Sequence, residues 1–85
     1  MSDYVIQAIR VQDIQEILKI ENESFLLPWT RGMFLGELSN PLSKALVVRS
    51  WDDTDILGYL FYQIVVFEMH ILNLAVHPSF RSMGI

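Results

Sequence analysis

The spacing of apolar and polar residues divides the chain into six elements. Residues 4–10 mix β-branched and polar side chains in rough alternation, which predicts a short strand. The period then lengthens, and one helical face repeats at i, i+3, i+4 and i+7 through Ile14, Ile17, Leu18 and Glu21. Asp13, with Glu16 three residues later, is typical of a capping box. We therefore expect a helix over residues 13–24.

A second, shorter helix is predicted after an apolar break at residues 25–29. Thr30 is a favourable N-cap, and a helical stripe follows it through Met33, Phe34 and Leu38. Two glycines inside this segment each cost about 1 kcal/mol relative to alanine, so packing must hold the helix together. Asn40 precedes a proline and ends the helix, since that position disfavours helical conformation.

Three strands complete the chain, at residues 44–50, 56–66 and 70–76. The polar link 51–55 is short, which implies antiparallel neighbours. The order is strand, helix, helix, strand, strand, strand. The expected fold is an α/β layer structure with a largely antiparallel sheet, and residues 1–85 form one unit.

Composition narrows the function classes. With 52% hydrophobic and 19% charged residues the chain should fold, and its net charge of −4 argues against nucleic-acid binding by charge. Without cysteine there is no disulfide framework, thiolate zinc site or cysteine nucleophile. We expect no metal, because His70 and His77 are isolated and the carboxylates at 52, 53 and 55 lack the glycine and distal glutamate of a calcium loop. The absence of a long apolar run or signal peptide predicts a cytoplasmic protein with no membrane partner.

The last stretch of the sequence carries the strongest chemical signal. A buried-type strand through Leu74, Ala75 and Val76 leads into Arg81-x-x-Gly84. A turn with glycine after a strand can direct backbone N–H groups at a phosphate. Alone, this pattern also fits an ordinary strand-to-turn exit.

In context, the stretch resembles the acetyl-CoA signature Q/R-x-x-G-x-G/A of the GCN5-related N-acetyltransferase (GNAT) family, which follows a strand ending L-A-V-x-P. Further upstream, the chain is similar to the ribosomal-protein alanine N-acetyltransferase (RimI-type) branch, through Ile20-Glu21-x-x-Ser24-Phe25, Pro28-Trp29-Thr30 and Phe34. The resemblance spans nearly all of this chain but only the N-terminal half of the family's domain. It implies a single incomplete domain that ends within the pyrophosphate-binding signature.

The resemblance implies acetyl-CoA as cosubstrate and direct attack by a free amine on it. Backbone groups of the last strand would hold the pantetheine arm and thioester carbonyl, and the loop after it would wrap the pyrophosphate. The cofactor-binding residues would be Leu74, Ala75, Val76, Arg81, Ser82, Met83, Gly84 and Ile85. N–H donors at the thioester would stabilise an oxyanion.

The sequence identifies catalytic groups less clearly than cofactor-binding residues. In this branch the general base and the tyrosine acid correspond to positions beyond Ile85. His70 is one candidate base, because it matches a place where other branches carry a catalytic Glu or Tyr, and histidine as a residue type titrates near neutral pH. The plainer interpretation of His70 is a half-exposed residue at the start of a strand, and Glu68, in the preceding turn, is a weaker candidate. Tyr59 and Tyr62 are predicted to face opposite sides of their strand.

The resemblance also suggests a substrate wall at Leu27, Pro28 and Trp29, although an aromatic residue after a proline often simply packs. Two functions remain open. One is an N-acetyltransferase, or its cofactor-side half, acting on the α-amine of a protein N-terminus, in particular of a ribosomal protein. The other is a truncated, inactive unit that folds and associates with itself through an exposed sheet edge.

Overall fold

A four-stranded antiparallel sheet carries two helices on one of its faces. The computed structural model describes residues 4–52 and 55–80. The elements are β1 (Tyr4–Ala8), α1 (Ile14–Ser24), α2 (Arg31–Leu38), β2 (Ser43–Ser50), β3 (Ile56–Val65) and β4 (Glu68–Val76), with single 3-10 turns at Val11–Asp13 and Pro78–Phe80. The strands lie in the order β1-β2-β3-β4, so β1 and β4 are the sheet edges. The predicted α/β order and antiparallel pairing are confirmed.

Helix α1 is held by the apolar face that the sequence predicts. Ile14 and Ile17 are fully buried against the sheet, and Glu21 is buried on the same side. The predicted capping box is wrong, however. The Asp13 side chain makes no cap bond to α1 and instead accepts the backbone N–H of Arg10 at 2.8 Å. Glu16 accepts the backbone N–H of Ile56 at 2.8 Å and so attaches the helix to the start of β3.

Helix α2 begins where predicted but presents a narrower apolar face. The Thr30 hydroxyl accepts the backbone N–H of Met33 at 3.3 Å, which confirms the cap. Phe34 is fully buried, whereas Met33 is 48% exposed. Met33 therefore does not belong to the buried stripe, because this short helix packs through the side centred on Phe34 and partly buried Leu38.

The core lies between the helices and one face of the sheet and is centred on aromatic rings. Phe34 and Phe61 have ring centroids 5.3 Å apart, and Phe34 meets Tyr59 edge to face at 6.0 Å. Trp29 packs against both phenylalanines, at 5.1 Å from Phe34 and 5.7 Å from Phe61. Such tilted and edge-on pairs stabilise beyond the area they bury. They hold the α1–α2 connection against β3.

The opposite face of the sheet is open and apolar. Val47, Tyr59 and Ala75 are buried on the helix side of the sheet. Because side chains alternate along a strand, the residues next to them face the opposite side. Its exposed members are Ile6, Ile64, Met69, Ile71 and Leu74, and its half-buried members include Leu46, Val48 and Leu60. An exposed apolar face of this kind is a candidate interaction surface.

The β3–β4 turn is strained. Val65 pairs with Glu68, so Val66 and Phe67 form a two-residue hairpin loop. Both have positive φ, 47° and 69°, and Phe67 is fully exposed. Such a loop favours Asn-Gly, because a β-branched residue rarely adopts positive φ. The sequence lacks those turn residues, which is why β3 was expected to continue to Val66.

Replacing Val66 with Asn and Phe67 with Gly should therefore stabilise the chain. Relief of the two strained positions is expected to raise the free energy of unfolding by about 1–3 kcal/mol. Urea unfolding followed by far-UV circular dichroism measures the change. Ile64→Asn is a matched control, since it removes an exposed apolar side chain from the same hairpin without altering the turn. An equal gain in the control would assign the effect to solubility rather than to the turn.

A buried ion pair links β2 to the start of α1. The Arg49 guanidinium contacts the Asp13 carboxylate, and both side chains are almost fully buried. Burial by itself would raise the pKa of Asp13, but the hydrogen bonds from Arg49 and the Arg10 backbone, with the charges of both arginines, lower it below its usual value of 3.8. The carboxylate form is thus favoured by folding.

This lowered pKa predicts acid sensitivity. A carboxyl group with a lowered folded-state pKa adds stability above its unfolded pKa, and that stability disappears as the pH falls through the folded-state pKa. The difference in unfolding free energy between the natural chain and Asp13→Asn should be largest above about pH 5 and should shrink below pH 3.8. Urea titrations at several pH values measure it. A difference independent of pH would contradict the assignment.

Candidate functional site

A β-bulge in β4 shapes the edge of the sheet. Phe61 pairs with Asn73 but Tyr62 pairs with Ile71, so Leu72 is an extra residue on β4. A bulge of this kind bends the strand and redirects its side chains. The strand therefore has two parts, one on each side of Leu72.

Past the bulge, alternate backbone groups of β4 point to the side of the strand away from β3. The backbone N–H of His77 donates to the Leu57 carbonyl at 2.7 Å, which fixes the phase of the antiparallel ladder. Alternation then directs the backbone groups of Ala75 toward β3 and those of Leu74 away from it. Leu74 lies on the outer side of an edge strand, where its amide is available to a ligand.

An open cleft lies beside this edge. It has a volume of about 340 Å³ and is lined by the end of α1, at Ser24 and Phe25, and by Leu74, Ala75 and Val76. The Ser24 hydroxyl donates to the Ile20 carbonyl at 2.6 Å, which fixes that side of the cleft. Three residues expected to bind cofactor are therefore together at one cleft. The remaining five, at positions 81–85, lie outside the described residues.

Helix α1 also carries a buried carboxylate, Glu21. Glu21 is 1% exposed and accepts three hydrogen bonds. The donors are the Trp29 backbone N–H at 2.8 Å, the Tyr59 hydroxyl at 2.6 Å and the Asn73 side-chain amide at 2.8 Å. The sequence placed Glu21 on the apolar face of α1 without identifying a partner. A charged residue within an apolar helical stripe was the available signal, but the partners lie up to 52 residues away.

Tyr59 is a structural donor. Burial raises its pKa, and the hydrogen bond and negative charge of Glu21 raise it further. Tyr59 is buried and Tyr62 is half-buried on the other side of β3, which confirms their predicted opposite orientation. Because the Tyr59 hydroxyl donates to Glu21, it is not available as an acid at the cleft.

The segment proposed as a substrate wall divides into two parts. Leu27 is 92% exposed, and its neighbour Leu26 is fully exposed. Trp29 is half-buried with its ring in the aromatic core, so the packing interpretation describes that side chain. Pro28, half-buried, joins the two. The segment thus exposes the apolar side chain of Leu27 and is held to the core through Trp29.

His70 lies apart from the cleft lining, on the far side of the bulge. It is half-exposed, and its Nε2 lies 3.4 Å from the Glu68 carboxylate. Glu68 is the first residue of β4 rather than part of the preceding turn. Within residues 4–52 and 55–80, no group of three His, Asp or Glu side chains is arranged to hold a metal ion.

Gly58 sets the spacing of β3 and β4 beside the cleft. A Cβ at this position would lie 2.9 Å from the Ala75 carbonyl oxygen, which is backbone and cannot turn away. Gly58→Ala should therefore cost about 1–3 kcal/mol of unfolding free energy. Gly36→Ala is the control, because a Cβ there meets no atom within 4 Å. In that helix, alanine should stabilise by up to about 1 kcal/mol. Thermal unfolding compares the two, and equal effects would contradict the close approach.

In the part of the chain that the structure describes, no helix is long and apolar enough to cross a membrane.

The sequence profile of the Acetyltransferase (GNAT) family matches residues 14–85. This match includes both helices, β2, β3, β4 and the cleft.

Two curated relatives have the same enzyme name. The ribosomal protein bS18-alanine N-acetyltransferase of Haemophilus ducreyi is 30% identical over 80 residues, covering 94% of this chain and 53% of that protein. A Bacillus subtilis (strain 168) protein that bears this name in provisional form is 33% identical over 81 residues, covering 94% of this chain and 52% of that protein. The chain thus spans about half the length of the curated relatives it matches.

Solved structures share the fold. The crystal structure of the ribosomal-protein-S18-alanine N-acetyltransferase from Escherichia coli superposes with a TM-score of 0.80 at 18% identity, covering 95% of this chain and 50% of that one. A spermidine N-acetyltransferase of Vibrio cholerae superposes at 0.72 with 12% identity, covering 99% and 56%. Enzymes named for a protein and for a polyamine share the fold, so the fold does not select the substrate. From the profile match and its curated relatives, the chain belongs to the GNAT acetyltransferase family and resembles the N-terminal half of its RimI-type branch.

Proposed function

We propose that this chain is the cofactor-side half of an acetyl-CoA-dependent N-acetyltransferase, an incomplete domain that acts in the cytoplasm on the α-amine of a protein N-terminus. The observation that supports this most directly is the edge of β4. The bulge at Leu72 and the outward amide of Leu74 lie beside the cleft at Ser24 and Phe25. Family membership makes a thioester the expected occupant of such an edge.

The β4 edge would bind the cosubstrate through its backbone. The amide of Leu74 would donate to the thioester carbonyl and stabilise the oxyanion that forms on attack. Ala75 and Val76 would line the pantetheine path. By family resemblance, Arg81, Ser82, Met83, Gly84 and Ile85 would supply pyrophosphate contacts.

The amine substrate would approach from the side of the α1–α2 connection. Leu27 and Pro28 would form a wall for the peptide, and half-buried Trp29, whose ring packs in the aromatic core, would anchor it. The relatives' names specify alanine N-acetylation of ribosomal protein bS18, and we propose a ribosomal protein N-terminus as the substrate here. His70 is the proposed base among the described residues, acting directly or through water on the amine proton. The products would be an acetylated amine and free CoA, with no covalent enzyme intermediate.

Isothermal titration with acetyl-CoA tests the proposal, with two matched variants at one position. Leu74→Pro deletes the outward N–H and is tolerated by an edge strand, whereas Leu74→Ala shortens the side chain and keeps the N–H. We expect the natural chain and Leu74→Ala to bind, and Leu74→Pro to bind about 2- to 10-fold more weakly, the loss expected for one hydrogen bond to an uncharged carbonyl. No binding by the natural chain, or equal binding by both variants, would refute the proposal.

The open apolar face favours a second candidate, an inactive unit that folds and associates with a second copy. The exposed face includes Ile71 and Leu74, and it adjoins β4, which is an edge strand of the sheet within the described residues. Such surfaces and edges promote association. Sedimentation velocity over a range of concentrations tests this. A dimer that is unaffected by acetyl-CoA and weakened by Ile71→Lys would support the second candidate, whereas a monomer at high concentration would exclude it.

A further inference from the structure

We propose that Glu21 is a positioning residue that fixes the register of β4 at its bulge and holds the α1–α2 connection at the same time. This role of Glu21 is structural, and its consequence for acetyl-CoA binding rests on the proposed function. Its test includes a readout that does not depend on cofactor binding.

The surroundings of Glu21 are unusual for a buried carboxylate. The side chain is 1% exposed, and all three of its hydrogen-bond donors are neutral. Burying a charge with neutral partners is costly unless several donors satisfy it. An apolar side chain of similar size would fill the same space with less penalty, since buried polar groups often stabilise no more than a hydrophobic replacement. Glu21 is therefore better explained by what it specifies than by stability.

What Glu21 specifies is the orientation of Asn73. Asn73 is buried on the helix side of β4 only because Leu72 is the extra residue of the bulge. A one-residue slip would turn Asn73 to the open face, since strand side chains alternate. Its neighbours on both sides, Leu72 and Leu74, are leucines, so neither carries a polar group that would mark the native register. The hydrogen bond from Asn73 to Glu21 thus distinguishes the native register from the slipped one.

The register decides which backbone amide reaches the cleft. In the observed register, the amide of Leu74 lies on the outer edge. In the slipped register, an adjacent amide takes that place, and the donor facing the cleft moves by one residue along the strand. Glu21 does not touch the cleft itself, so it acts through Asn73.

The second oxygen of the same carboxylate fixes the opposite wall. Glu21 Oε2 accepts the Trp29 backbone N–H, while Oε1 accepts from Tyr59 and Asn73. One side chain thereby ties the α1–α2 connection, β3 and β4 together. The distance between the proposed peptide wall and the proposed thioester edge follows from this single anchor.

Two substitutions remove the hydrogen bond that distinguishes the two registers, one by replacing the donor Asn73 and the other by replacing the acceptor Glu21. Asn73→Leu leaves three consecutive leucines at 72–74, so no polar side chain among them distinguishes the two registers. Glu21→Met removes the acceptor. The Asn73 side-chain amide would then lack a buried hydrogen-bond partner and would be more stable facing solvent. Gln63→Leu is the matched control, because it deletes another side-chain amide whose hydrogen bond, to Ser43, crosses between β3 and β2.

Interstrand NMR contacts in the natural 85-residue chain and these variants measure the register directly. In the natural chain and in Gln63→Leu, Tyr62 should contact Ile71 across the strands, and Phe61 should contact Asn73. In Asn73→Leu and Glu21→Met we expect a second set of contacts shifted by one residue, and acetyl-CoA binding weakened about twofold if the two registers are equally populated, because the apparent dissociation constant rises as the fraction in the bound register falls.

Each outcome either supports or overturns the proposed role of Glu21. A single unshifted register in Asn73→Leu would overturn the proposal, since the backbone and the packing of buried Ala75 would then set the bulge without the Asn73–Glu21 hydrogen bond. If Glu21→Met does not fold, Asn73→Leu carries the decision, because it keeps two of the three hydrogen bonds to Glu21. If the natural chain does not bind acetyl-CoA, the proposed function fails while the NMR contacts still test the role of Glu21.

Discussion

Replacing Phe34 with alanine should destabilise the chain by about 3–5 kcal/mol, the cost of removing a fully buried phenylalanine ring. Phe34 lies where the rings of Trp29, Tyr59 and Phe61 converge, so its removal leaves a cavity bounded by both helices and the sheet. A small domain has a total stability of about 5–15 kcal/mol, and the variant is expected to be largely unfolded well below the natural chain's melting temperature. Urea unfolding followed by far-UV circular dichroism measures the difference.

The adjacent residue supplies the control for Phe34→Ala. Met33 lies on the same helix but is half-exposed, and alanine is a good helix former. Met33→Ala should therefore change stability by no more than about 0.5 kcal/mol. The pair separates the buried position from the exposed one, although the sequence assigned both to one stripe. Similar losses in the two variants would show that α2 does not pack as described.

Local patterns predicted the elements because their causes are local. The Thr30 cap depends on a hydroxyl three residues before Met33, and the apolar face of α1 depends on a repeat within eleven residues. Predicted strand limits were correct to within two residues wherever alternation or a turn marked them. The hairpin at Val66 and Phe67 was less clear, because its turn lacks the residues that the geometry prefers.

Polar pairing at long range could not be predicted in this way. Asp13 was predicted to cap a helix because aspartate commonly does so at such a position. In the structure its carboxylate instead forms an ion pair with Arg49, 36 residues later. Glu21, Tyr59 and Asn73 come from three elements, and only the tertiary fold places them together. The edge residues Leu74, Ala75 and Val76 were identified by family resemblance rather than by pattern, and the structure lines one cleft with them.

Replacing Arg49 with methionine should cost about 3–5 kcal/mol, because it leaves the buried Asp13 carboxylate without its main countercharge. Arg49 is 6% exposed and also donates from Nε to the Gln7 side chain at 3.0 Å, so the substitution removes a contact to β1 as well. The Arg10 guanidinium, 3.6 Å from Asp13, is half-exposed and can replace only part of the interaction. Equilibrium urea unfolding near neutral pH, where Asp13 is ionised, measures the loss.

The double variant Asp13→Asn, Arg49→Met separates the lost charge pairing from lost packing. Asparagine keeps an oxygen that can accept the Arg10 backbone N–H but carries no charge to be left buried. The double variant should therefore be more stable than Arg49→Met alone, with a coupling between the two sites of about 0.5–3 kcal/mol. Strictly additive losses would show that Asp13 does not depend on Arg49. Because the pair joins β2 to the start of α1, such a result would also require another interaction to place the helix whose Glu21 reaches β4.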